Sequence, residues 1–159
     1  MQSSKNVLGL LHVYDTVLRE LRATGVLRSN NNPVADFAEH LFCEAFDWSL
    51  TSKSTKGHDA LAPDGTRYEI KARRLSDENG TRQLSAIRNL NAGHFDFLAG
   101  VLFNSDFSVF RAALIPWSTV VERSSHIKST NSAKFILSDE TWKIQGVQDV
   151  TNTLNQVLK

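Results

Sequence analysis

The sequence predicts a single α/β domain built on a mixed central β-sheet with helices on both sides. Three observations predict it. Two amphipathic helical stretches open the chain. A charged hairpin follows, turning at Pro63-Asp64-Gly65. Then comes a nearly continuous apolar run, Phe95-Asp96-Phe97-Leu98-Ala99-Gly100-Val101-Leu102-Phe103, which suits a strand buried on both faces. At 159 residues, with 41% apolar and 22% charged side chains, the chain suits one globular domain with its own core.

Taken in order, residues 5–24 place Val7, Leu8, Leu10, Leu11, Tyr14, Val17, Leu18 and Leu21 at helical spacing, and Gly25 is a natural stop. Asn32 and Pro33 supply a cap and a first turn for a second helix ending near Phe46. Its apolar stripe is Val34, Phe37, Ala38, Leu41, Phe42, Ala45 and Phe46, with Glu39 and Glu44 at its borders and Asp36 further toward water. Residues 48–52 read as a first strand. The hairpin covers 57–74, 76–81 a polar loop, and 83–90 a short helix or helical turn. After the 95–103 strand, a turn at 104–106 leads to a strand over 107–115 and a short helix over 116–122. Residues 124–132 read as a loop, 134–137 as a short edge strand and 147–158 as the last helix. The chain thus divides into an N-terminal helix and loop (1–30), a central core (33–103) and a segment completing the sheet and adding the C-terminal helix (104–159).

Charge and cysteine narrow the function classes. The net charge is +1, but residues 53–88 hold eight Lys or Arg against five acids, giving +3 there and −2 elsewhere. The one cysteine, Cys43, excludes an internal disulfide framework and points to a reducing, cytoplasmic setting. No apolar stretch approaches the roughly 20 residues of a membrane span, so no membrane partner is expected. There is no P-loop, no dinucleotide glycine pattern and no G-x-S-x-G. His94 and His126 have no triad or metal context.

The hairpin carries the chemistry. Residues two apart on a strand share a face, so Glu69 and Lys71 lie together while Tyr68, Ile70 and Ala72 point away. Asp59 stands across the hairpin from them. Two acids and an amine in one place suit a divalent metal beside a phosphate oxygen, and carboxylates without His or Cys favour a hard ion such as Mg²⁺.

Glu39, then Gly57-His58-Asp59, then Glu69-Ile70-Lys71 resembles the PD-(D/E)xK phosphodiesterase superfamily, over roughly residues 33–103. The resemblance implies a restriction endonuclease-like fold and a Mg²⁺-dependent nuclease, Mn²⁺ being a possible substitute, acting on DNA in restriction, phage defence or repair. It implies Asp59 and Glu69 as metal ligands with the Ile70 carbonyl completing the shell. Lys71 would act on the attacking water and the transition state, and Glu39 would serve as the helix acid for metal or water. Gln83-Leu84 is similar to the glutamine motif of exonuclease-like members, although Ile87 replaces their aromatic residue and His58 the motif's proline. Arg73, Arg74, Lys53, Lys56, Arg82 and Arg88 are candidate phosphate contacts. A chain this short is expected to gain specificity as a homodimer. Two alternatives stay open: an RNA-cleaving member, and a catalytically silent nuclease-fold module binding nucleic acid or a protein partner.

Overall fold

Helix α1 (Ser4–Ala23) stands first, and α2 (Pro33–Phe46) begins where the Asn32 side chain accepts a hydrogen bond from the Val34 N–H. The computed structural model describes residues 4–30, 32–52, 54, 57–78 and 80–159. Helix α2 ends as predicted, on Asp47 in the left-handed region (φ 56°), whose N–H returns to the Cys43 carbonyl. Strands β1 (Ser49–Leu50), β2 (Ala60–Leu61) and β3 (Arg67–Arg74) follow, β2 and β3 forming the expected hairpin. Next come β4 (Ile87–Arg88), β5 (Phe97–Phe103), β6 (Val109–Pro116), α3 (Trp117–Arg123), β7 (Ser125–Ile127), β8 (Ser132–Lys134), β9 (Gln148–Asp149) and α4 (Thr151–Val157).

Six strands form the central sheet in the order β1-β2-β3-β5-β6-β9. Only β3 and β5 run parallel, so the sheet is mixed, as expected. Its two faces bury different sets. Ile70, Ala99, Val101, Phe103, Ala112 and Leu114 pack against Ala38, Leu41 and Phe42 of α2 and Leu154 of α4. An aromatic ladder extends this side, with Trp48 stacked 3.7 Å from Tyr68 and Tyr68 5.8 Å from Phe97. Leu98, Leu102, Ala113 and Ile115 face the other way, onto Val120 of α3 and onto Leu84, Ile87, Ala133, Phe135 and Leu137.

That second layer corrects the sequence reading. Residues 83–90 are not helical: Gln83 forms a bridge to Ile136, and β4 pairs with β8, which pairs with β7 in a separate three-stranded sheet. The Leu84, Ile87 and Leu90 spacing reads as one turn of helix, but burial against the central sheet fixes it as extended chain and a 3₁₀ turn (Leu90–Ala92). Residues 124–132, expected as a loop, contribute β7 and the start of β8. The edge strand expected over 134–137 lies mainly at Ser132–Lys134. The last helix begins only at Thr151, because residues 148–149 pair with β6.

Asp36 is a second correction. It is buried rather than turned to water, and its Oδ2 accepts from the Arg28 N–H (2.8 Å), the Ser29 N–H (2.9 Å) and Ser29 Oγ (3.0 Å). Three donors to one oxygen offset the cost of burying a carboxylate. They also fix the segment joining α1 to α2.

Candidate active site

The site begins where β2 stops. Asp59 immediately precedes β2; its N–H donates to the Tyr68 carbonyl (2.8 Å) and its Oδ2 accepts from the Ile70 N–H (2.7 Å). Its side chain therefore caps the outer edge of β3, where β2 no longer supplies backbone partners. A strand residue's N–H and C=O leave on the same edge, so the Ile70 carbonyl emerges on the side that Asp59 occupies. The Ile70 side chain is buried beneath α2, leaving its backbone as the part available to a ligand.

Glu69 and Lys71 share the opposite face of β3, as the alternation predicts. Glu69 Oε1 and Lys71 Nζ are 2.8 Å apart, with side chains only 13% and 20% exposed. Burial pushes the Glu69 carboxyl above its usual range; the Lys71 ammonium opposes this shift and the Asp59 charge adds to it. Two acids and one amine thus meet in partly dry surroundings.

The face of β3 carrying Glu69 and Lys71 forms one wall of an open cleft of about 400 Å³, whose other walls come from Gly57, Ala86, Arg88, Asn89 and His94. Gly57 sits at φ +97°, and a Cβ there would fall 2.1 Å from His94 Cβ, so only glycine fits against that histidine. Sequence reasoning missed both His94 and Asn89. His94 has no local signal, since the fold alone brings it to Gly57. Asn89 at φ 51° is the one residue whose type hints at its turn.

The expected convergence of three carboxylates is not met. Glu39 lies on α2, across β3 from Glu69, and its Oε2 is held 3.5 Å from Arg28 Nη1, while Arg28 Nη2 donates to the Thr51 carbonyl (3.2 Å). Among the described residues, no three His, Cys, Asp or Glu side chains sit close enough to hold one metal ion. Asp59 is the link between the two sides: its charge bears on Glu69 and, with that of Glu39, on Cys43. Burial, then the Glu39 charge, raises the Cys43 thiol to about 11, so at neutral pH it holds almost no thiolate.

The predicted phosphate contacts separate. Arg88 is exposed and lines the cleft. Arg73 shares the Lys71 face, but its Nε donates to the Gln83 carbonyl (2.5 Å). Arg74 belongs to the other face: its guanidinium bonds the Ser105 carbonyl and lies 4.3 Å from the Phe107 ring centroid. Arg82 is engaged with Asp139 (2.6 Å) and Phe110. Gln83 lines a different groove, with Arg123 and Lys134. Arg74, Arg82 and Gln83 therefore do not join the cleft. Lys53 and Lys56 lie outside the described residues.

Asp59, Glu69 and the Ile70 carbonyl are oxygen donors, the kind a hard divalent cation takes. No protein-family model matches the chain, and no curated protein matches it.

Proposed function

We propose that this chain is a metal-dependent nuclease that hydrolyses DNA phosphodiester bonds, in the setting of restriction, phage defence or repair. The observation that carries the reading is the buried Glu69–Lys71 pair beside Asp59 at the wall of an open cleft. A surface ion pair needs neither the burial nor the second acid.

Asp59, Glu69 and the Ile70 carbonyl would hold Mg²⁺ or Mn²⁺, which when bound neutralises phosphate charge and acidifies water. Lys71 offers its ammonium to the phosphate oxygens as negative charge develops on them, in surroundings dry enough to strengthen that contact. Asp59 keeps its second oxygen for this role while the first holds the β3 edge. Arg88 lies on the opposite wall, placed for a flanking phosphate. Glu39 joins the site only when its carboxylate leaves Arg28.

That last pair favours a second reading, a catalytically silent nuclease-fold module that binds nucleic acid or a protein partner. One experiment separates the two. Plasmid, linear duplex, single-stranded DNA and RNA are incubated with the protein in Mg²⁺, Mn²⁺ or EDTA, beside Asp59→Ala and Lys71→Ala. The nuclease reading expects metal-dependent cleavage, lowered about a hundred- to a thousandfold in Lys71→Ala, in line with the loss of one transition-state contact, and abolished in Asp59→Ala. Tight binding without cleavage of any substrate would establish the silent module.

A further inference from the structure

No described side chain of helix α1 is buried. Val7, Leu8, Leu10, Leu11, Val13, Tyr14 and Val17 are between 44% and 61% exposed. Residues 7, 11, 14, 18 and 21 alternate steps of four and three, the seam of a two-stranded coiled coil, with Leu10 and Val17 widening it on one side. Only the C-terminal half meets the domain. There Leu18 and Leu21, with Leu27, Pro33, Phe37 and Phe107, frame a wholly apolar groove of about 380 Å³. The N-terminal half runs on past the groove.

We propose that α1 is a self-association helix, pairing antiparallel with α1 of a second copy about a two-fold axis at Tyr14. In that register Val7 of one copy meets Leu21 of the other, Leu10 meets Leu18 and Leu11 meets Val17. The projecting half of each helix then lies along the groove side of its partner. One element supplies both ridge and groove, the requirement of an isologous interface.

Area supports a second copy as the occupant. The exposed seam side chains Val7, Leu10, Leu11, Tyr14 and Val17, each about half exposed, amount to about 500 Å² per copy, or about 1,000 Å² for a pair. That reaches the roughly 1,000 Å² in total that a specific interface clears, before Leu18 and Leu21 at the groove wall are counted. Charge argues against a lipid surface. The helix has three Lys or Arg against two acids, and Arg19 is paired with Asp15 at 2.8 Å, so its polar side is no basic face for anionic lipid. This inference is independent of the nuclease reading.

Sedimentation equilibrium over a concentration series tests it. The wild type is expected to dimerise, and Leu11→Glu to weaken the dimer by at least about a hundredfold with an unchanged circular dichroism spectrum of the folded domain, as an exposed site allows. Cysteine scanning tests the register. Under mild oxidation Tyr14→Cys is expected to form a disulfide-linked dimer, whereas Val7→Cys is not, because antiparallel pairing separates the two Val7 positions. A monomer at all concentrations, a dimer indifferent to Leu11→Glu, or Val7→Cys cross-linking as readily as Tyr14→Cys would overturn the proposal. A monomeric wild type that binds anionic vesicles would overturn it as well.

Discussion

The two faces of β3 are made by one strand and do opposite things. Tyr68, Ile70 and Ala72 join a packed side, covered by α2 and extended by the stack of Trp48 on Tyr68. Glu69 and Lys71, one residue out of phase, hold ionisable groups in a half-dry cleft where burial already works against the Glu69 charge. The packed face holds the strand in place, and the strained face is tolerated because of it. A site that disfavours its own ionisation needs a rigid support, and here the support is the reverse side of the same eight residues.

The largest way to break this contrast is to weaken the support. Ile70→Ala is expected to cost about 3 kcal/mol in urea denaturation, the usual loss for a fully packed aliphatic side chain. The backbone at residue 70 would still present its N–H to Asp59, so cleavage per folded molecule should fall far less than in Lys71→Ala. Next comes the boundary between the faces. With its thiol held near 11, Cys43 should react with iodoacetamide at pH 8 about a hundredfold more slowly than an ordinary exposed thiol, given two units less thiolate. Glu39→Gln should recover part of that rate, since the Glu39 charge is the second cause of the shift.

A smaller effect of opposite sign is expected on the strained face. Replacing the buried pair together, Glu69→Leu with Lys71→Met, should abolish cleavage yet raise stability by about 1 kcal/mol at pH 7, as burying apolar groups in place of ions often does. The pH dependence fixes the sign. The folded Glu69 carboxyl is raised above its ordinary 4.5, so its contribution to stability is full below that value and is lost as pH rises through the folded one. The gain of the double variant should therefore shrink toward pH 4, which thermal melts across pH 4–8 would show.

The smallest effect lies outside both faces. The Arg67 guanidinium, 2.9 Å away, holds the Asp96 carboxyl below its usual 3.8. That pair is more than a third exposed, so Asp96→Asn should cost no more than about 0.5 kcal/mol. Its contribution is present above pH 3.8 and lost as pH falls through the lowered value. Wild type and variant should therefore converge in stability as pH falls below 3.8 and through the lowered value.

How much of this was legible in the sequence follows from the range of the interactions involved. The hairpin was readable because Pro63-Asp64-Gly65 fixes the turn and alternation fixes the faces. The same alternation places Arg74 on the far side from Lys71, a deduction available from sequence that the grouping of basic residues hid. Strands β4, β7 and β8 were not readable. They are two or three residues long, and contacts with Phe135 and Leu137 on the central sheet's second face shape them more than their own pattern does. His94 entered the cleft through a contact with Gly57, thirty-seven positions earlier, that no local rule encodes. Glu39 was correctly placed at the border of its stripe, but its partner Arg28 comes from the preceding loop, and a helical wheel shows only the helix.

Arg28 has a consequence beyond charge pairing. Its backbone is tied to Asp36 in the first turn of α2, and its side chain reaches both Glu39 and the Thr51 carbonyl. Mechanically it is the coupling rod between the α1 arm and the acid border of the site. A shift of residues 26–29 would move that guanidinium and change how firmly Glu39 is held, so the fold already contains a short linkage by which a load on the segment after α1 would be felt at Glu39.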